Sequence, residues 1–196
     1  MKKFLFLFLA LPLLSSKCEK DHGIERPPVV NDSTLTDSLI MVTELAKLPK
    51  ETSEGLNTFG CLLNGKAYIP SSGGTTNPKI SADYLGGRCS VNASLYGRHP
   101  ETQKISILKS IYIYMDSSLY GPGVYNYGTS GAAFSFTDIV TKCQYYKNET
   151  LTGKIIISKL DTAKKILAGK FDFVVYGPDK ACDSVVVTDG RFDVKY

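Results

Sequence analysis

Five cysteines, two histidines and twelve tyrosines are the side chains with most chemistry to offer in this chain of 196 residues. A structural zinc site needs closely spaced ligands such as C-x-x-C. After Cys18 the nearest pair is Cys61 and Cys89, so no metal site is expected from Cys61, Cys89, Cys143 and Cys182. In an exported protein these four would instead form two disulfides, in one of three connectivities that sequence does not choose between. Parity then leaves Cys18 over, and acylation would account for it.

The histidines do not assemble a catalytic group. His22 lies in a polar stretch, and His99 precedes Pro100 in "YGRHPET", a turn-like setting. A Ser-His-Asp system needs an imidazole held by an acid beside a nucleophile, and no spacing here argues for one. "GCLLNGKA", Gly60 to Ala67, nearly spells the phosphate loop G-x-x-x-x-G-K-[ST]. Ala67 lacks the hydroxyl that would hold magnesium, and Pro70 denies the helix whose N-terminus would face phosphate. "DGRFD" lacks the alternating acids and closing Glu of a calcium loop. No cofactor, metal or nucleotide is therefore expected.

Tyrosine is the better handle. Tyr112, Tyr114, Tyr120, Tyr125, Tyr127, Tyr145 and Tyr146 fall close together. Strands favour tyrosine in any case, yet tyrosines sharing one sheet face can stack on sugars or line a protein interface. "KSIYIYMD" alternates, with Ile111, Ile113 and Met115 on one face and Tyr112 and Tyr114 on the other. Tyr112 and Tyr114 are the candidate ligand-binding pair, for a glycan or a protein surface.

The elements that would position them start after a leader. Lys2 and Lys3 precede Phe4 to Leu14, apolar throughout apart from Pro12. A membrane span needs about 20 apolar residues, so residues 1–17 read as a secretory signal. "LLSSKC" resembles the box of bacterial lipoproteins whose last member is the acylated cysteine; Lys17 stands where a small residue is usual. The expected product is an outer-membrane lipoprotein, periplasmic or surface-facing, with acyl chains such as palmitate on Cys18 and the membrane as its first partner. Ordinary cleavage near Ser16, releasing a soluble periplasmic protein, is the alternative. Without Lys2, Lys3 and Lys17, 20 basic side chains face 19 acidic ones, a balance of +1. Nucleic-acid binding would show as clustered Lys and Arg, and there is no such cluster.

Residues 18–56 read as a lipid-anchored tether. "EKDHGIERPPVVND" is polar and aperiodic, and a flexible chain of fourteen residues spans roughly 20 Å. A helix is expected over 33–47, capped by Asp32 or Ser33, with Leu35, Leu39, Val42 and Ala46 as a stripe packed on the body. Residues 57–196 read as one β-rich domain. "NGKAYIP", "TGKIIIS", "AGKFDFVVY" and "DGRFDVKY" each place a Gly before a basic residue, as if opening a strand. At Asp189 and Gly190 the apolar parity shifts, through either a hairpin turn or a glycine bulge. The expected fold is all-β, an antiparallel β-sandwich or partly closed barrel, with a short N-terminal helix after a flexible tether.

"LPKETSEGLNTFGCLLNGKAYIP", "GKIIISKLDTAKKILAGKFDFVVY" and "VVVTDGRFDVKY" resemble a family of uncharacterised Bacteroidota lipoproteins with a "TFGC-x-x-NGK" opening and a "TDGRFD" close. The likeness covers most of 48–196 and implies a small β-rich body on an outer-membrane anchor; it carries over no functional residue. "DST", "DSL", "DTA" and "DSV" resemble the Asp-Ser/Thr-x sites that such bacteria glycosylate, which makes Ser33 and Ser38 the candidates nearest the tether. The functional expectation is a non-catalytic binding or envelope-structural module. A hydrolase built from scattered Asp, Glu and Tyr, or an accessory subunit of a surface complex, are the alternatives.

Overall fold

The computed structural model describes residues 32–74, 78–115, 119–146, 150–178 and 181–196, with side chains for all of these except 32–36, 150 and 151. Cys18, the leader and the stretch before Asp32 lie outside the described residues.

Helix α1 (Asp32–Ala46) is followed by eleven strands: β1 (Thr58–Leu63), β2 (Lys66–Tyr68), β3 (Ile80–Leu85), β4 (Arg88–Arg98), β5 (Ile105–Met115), β6 (Gly123–Asn126), β7 (Ala132–Asp138), β8 (Cys143–Tyr145), β9 (Thr150–Asp161), β10 (Ile166–Val175) and β11 (Val185–Lys195). They form two sheets, one of six strands in the order β2-β1-β11-β10-β9-β6 and one of five in the order β3-β4-β5-β7-β8. Adjacent strands in both sheets run antiparallel. Among the described residues the fold is an all-β sandwich with one helix, as expected.

Alternation explains how each strand contributes to the core. Ile111, Ile113 and Met115 of β5 and Ala132, Phe134 and Phe136 of β7 point inward from the five-stranded sheet. Ile155 and Ile157 of β9, with Phe171 and Phe173 of β10, answer them from the other sheet. Phe134 is the link between layers, its ring centroid 3.8 Å from that of Phe173 and 6.1 Å from that of Phe171. Burying a side chain of this size stabilises the fold by about 1.5–3 kcal/mol.

Turn chemistry sets the registers. Asn64 and Gly65 both hold positive φ, 47° and 77°, the geometry of a two-residue turn that matches strand twist. The "NGK" phrase thus joins β1 to β2. The other three glycine phrases do not open strands: Gly153, Gly169 and Gly190 lie inside β9, β10 and β11. Gly190 belongs to a bulge, where the β10 and β11 partners slip between Phe171/Gly190 and Phe173/Val187 and Asp189 takes φ 54°. The glycine is needed there because a Cβ would sit 2.4 Å from the Phe171 carbonyl oxygen and 2.5 Å from its ring. The change of apolar parity in this segment is therefore a bulge within one strand.

Two further expectations need correction. Cys143 and Cys182 are joined, with Cα atoms 5.7 Å apart, but Cys61 and Cys89 are free, buried thiols. Cys61 is on β1 and Cys89 on β4, in different sheets, and each packs in the core as a small apolar side chain. Burial pushes the Cys61 thiol well up and the Cys89 thiol to about 12, so neither forms the thiolate that oxidation requires. The second correction is the helix. α1 starts and stops close to where expected, but Leu39, Val42 and Ala46 are exposed, so the stripe does not pack on the body.

Candidate functional site

The groups with catalytic potential turn out to have local structural duties. His99 sits at the β4–β5 connection, where its Nδ1 accepts hydrogen bonds from the Glu101 and Thr102 amides at 3.2 and 3.3 Å. Gly60 to Ala67 is the β1–β2 hairpin, with no helix after it to face a phosphate. Among the described residues no three of His, Cys, Asp and Glu converge as a metal site.

Asp138 lines a cavity of about 340 Å³ between the β1–β2 and β7–β8 turns, shared with Lys66, Lys109, Thr141, Tyr145 and Asp183. Its carboxylate is occupied: it accepts from Lys109 Nζ at 2.9 Å and from the Val140 and Thr141 amides at 3.0 and 3.3 Å. Asp183 contributes its carbonyl to the Tyr145 hydroxyl at 2.6 Å. Asp193 is buried on β11 and accepts from Thr52 Oγ1 and from the amides of Glu54, Gly55 and Leu56, at 2.7 to 3.3 Å. Burial raises its pKa, but these four donors outweigh that and hold it below the ordinary carboxylate range. Its task is to fasten residues 52–56 to the last strand.

The outward face of the five-stranded sheet is different. Tyr112 and Tyr114 stand side by side on β5, rings 6.3 Å apart and within 13° of parallel. Tyr112 is 39% exposed. Its cross-strand neighbours are Asn92 on β4 and Ser135 on β7; those of Tyr114 are Ser90 and Ala133. Short side chains on both flanks leave the two rings standing above the sheet.

A third ring completes the arrangement. β7 and β8 pair Phe136 with Tyr145, so the same antiparallel register brings Tyr146 beside Ser135. Strands lie about 4.8 Å apart, which puts Tyr146 two spacings, roughly 10 Å, from Tyr112 with Ser135 on the floor between. Tyr112, Tyr114, Ala133, Phe134, Ser135 and Tyr146 line a cleft of about 260 Å³. Tyr146 is exposed and its hydroxyl donates to Gln144 Oε1, which orients the ring at the cleft's rim. Ring-faced walls and a floor of small side chains, with the Ser135 and tyrosine hydroxyls as polar groups, can take the apolar face of a hydroxyl-bearing ring.

Of the residues singled out in the sequence, Tyr112, Tyr114 and Tyr146 are brought together at this cleft. Cys61, Cys89, Cys143 and Cys182 are not at it, and Ser38 is exposed on α1 while the Ser33 side chain lies outside those described. Tyr145 is buried on the inner face, and the Tyr125 hydroxyl is spent on the Gly121 carbonyl at 2.7 Å. Sequence reasoning missed the floor. Its signal was the outward parity of "GAAFSFTD", in which Ala133, Ser135 and Thr137 alternate with the buried Phe134 and Phe136. No family model, curated protein or solved structure matches the chain.

Proposed function

We propose that this chain is a lipid-anchored protein of the bacterial outer membrane, of the Bacteroidota lipoprotein family it resembles, and that it binds carbohydrate through the Tyr112–Tyr114–Tyr146 cleft. The observation that carries the binding reading is the cleft itself, three tyrosines around Ala133 and Ser135 on the outward face of the five-stranded sheet. A volume of about 260 Å³ falls short of the roughly 300–1,000 Å³ of sites for drug-sized ligands. One sugar ring at a time fits that space, with neighbouring units of a chain running over Asn92 and Ser90. The apolar face of a pyranose stacks on a tyrosine ring while its hydroxyls meet those of Ser135 and the tyrosines.

The support for the anchor is the leader and "LLSSKC". Fractionation checks it: wild type stays with outer membranes, and Cys18→Ala leaves them. For the binding reading, a glycan array is probed with wild type and with a Tyr112→Ala/Tyr114→Ala pair. Wild type is expected to bind a subset of glycans and the double variant to lose at least tenfold in affinity, with unchanged thermal unfolding. Equal binding by the two proteins would remove the cleft from the function.

A further inference from the structure

At one end of the sandwich the core gives way to charge. Lys109 and Asp138 are cross-strand partners on β5 and β7, one step of the inner face beyond the Ile111–Phe136 pair, so both side chains point between the sheets. Their ion pair, at 2.9 Å, lines the cavity of about 340 Å³ between the β1–β2 and β7–β8 turns. Two apolar side chains would often stabilise such a position as well or better, so the pair needs another reason. An ammonium group carries three N–H donors, and among the described residues only Asp138 accepts from that of Lys109.

The walls of the cavity are fastened to one another. The β1–β2 turn is tied to β11 by Asn64, whose amide donates to the Val186 carbonyl at 2.8 Å and whose Oδ1 accepts the Val186 amide at 2.7 Å. The Cys143–Cys182 bond, with the Tyr145 hydroxyl on the Asp183 carbonyl at 2.6 Å, ties β8 to the chain that leads into β11. The volume lies at the lower end of the roughly 300–1,000 Å³ of small-molecule sites. Walls braced in this way need little ordering by a ligand, which favours binding.

Lys66 from one sheet and Lys109 from the other bring cations to the lining, and Asp138 and Asp183 bring anions. Asp138 is committed to Lys109 and to the Val140 and Thr141 amides. Neither the Lys66 ammonium nor the Asp183 carboxylate has an ion-pair or hydrogen-bond partner among the described residues. Glu44, which also feels the Lys66 charge, spends its oxygens on Lys47 and the Ala67 amide. We propose that this cavity binds a small zwitterion, an α-amino acid or a short peptide. Its carboxylate meets Lys66 and the remaining donors of Lys109, its ammonium meets Asp183, and an apolar side chain lies against Leu63, Phe136 and Val185. A ligand of net negative charge would bring that charge to Asp138 and Asp183, and one of net positive charge would bring it to the lysines. A zwitterion complements both signs and gives each unpaired group a partner. The site lies between the sheets, apart from the tyrosine cleft on the outward face, and does not depend on the carbohydrate reading.

The test uses the chain from Glu19 onward, which keeps every described residue and lacks both leader and acyl site. All of the buried residues fall between Leu48 and Val194, so this chain retains the whole core. Amide NMR titrations at millimolar concentration compare leucine and leucyl-leucine with leucinamide, which lacks the carboxylate, and 4-methylpentanoate, which lacks the ammonium. Leucine or leucyl-leucine is expected to shift the signals around Lys66 and Asp183, and the tighter of the two tells a free amino acid from a peptide. The singly charged analogues should bind at least tenfold more weakly, as losing a hydrogen bond between charged groups entails. Lys66→Ala should erase most of the preference over leucinamide, and Asp183→Asn most of that over 4-methylpentanoate. Both side chains are exposed, and Asn keeps the backbone carbonyl that Tyr145 uses, so thermal unfolding should not change in either variant. No binding of leucine or leucyl-leucine overturns the proposal, as do analogues that bind equally well or variants that keep both preferences. The Tyr112→Ala/Tyr114→Ala pair should bind leucine as wild type does, so failure of this cavity and failure of the tyrosine cleft give different results.

Discussion

The two sheets present opposite outer faces. On the six-stranded sheet Lys154 pairs with Asp172 at 3.3 Å and Lys170 with Glu51 at 2.7 Å. Part of that face is also overlaid by the 48–56 segment, which Asp193 fastens and where Leu48 and Pro49 lie against Gly60. The five-stranded sheet carries Tyr112, Tyr114 and Tyr146 among serines, asparagine and alanine. Both faces come from the same alternation of buried and outward residues. What differs is the outward set: charges in pairs make a face that water and its own strap satisfy, whereas rings over small residues make one that a ligand can satisfy.

The largest expected effect is at the link between the layers. The Cys143–Cys182 bond ties β8 of the five-stranded sheet to the connection that leads into β11 of the other, across a separation of 39 residues. Closing a loop of that length stabilises the native state by up to about 4 kcal/mol through the unfolded chain. A Cys143→Ala/Cys182→Ala variant is expected to melt about 10 °C lower, at roughly 2–4 °C per kcal/mol for a domain of this size. In the chain from Glu19, thiol titration should find no reactive cysteine in the native state and two, Cys61 and Cys89, after denaturation. A second disulfide would leave none.

Next in size is the strap. Asp193→Ala leaves three amides and the Thr52 hydroxyl without their acceptor, and a loss of about 3 kcal/mol is expected from stranding buried donors. The pH dependence has a definite sign. The folded carboxyl titrates below the unfolded value of about 3.8, so its contribution is complete above that pH and disappears as pH falls through the folded value. Urea melts at pH 3 and pH 6 should therefore converge in Asp193→Asn relative to wild type, with glycan binding at neutral pH unaffected.

The smallest effects are at the surface, and they sharpen the contrast. Lys154→Ala breaks a pair in which both partners are about half exposed, and a change below 0.5 kcal/mol is expected from such pairs. Tyr146→Ala should likewise leave stability within about 0.5 kcal/mol while weakening glycan binding several-fold. If instead Tyr146→Ala lowers the melting temperature like a core substitution, its ring serves the fold and the cleft is not a binding site.

How far this was legible in the chain depended on distance. The Ile111–Met115 and Tyr112–Tyr114 faces were readable because a strand's period of two is local. So was α1, whose ends agree to within a residue or two, although the face it presents was not: a stripe says which residues are apolar, not what they meet. The Asn-Gly turn was legible and the buried glycines were not, since Gly169 and Gly190 answer to atoms of Ile156 and Phe171 in neighbouring strands. The disulfide needed the sheet order before Cys143 could be matched to Cys182. The cleft floor needed the β5–β7 register, in which Tyr112 meets Ser135.

Sheet order has a further consequence, in time. β11 lies between β1 and β10, and β1 takes Thr58 to Asp193 and Leu63 to Val187 across more than a hundred residues. A chain that emerges from its N-terminus forward holds the β1–β2 hairpin with one edge open until residues 185–195 arrive to fill the gap. The closure of the larger sheet is the final event and a slow one, because contacts so distant in sequence raise the entropic barrier to folding. Until then the six-stranded sheet exists as two pieces, the β1–β2 hairpin and the β6, β9 and β10 strands, and the last strand to be made is the one that joins them.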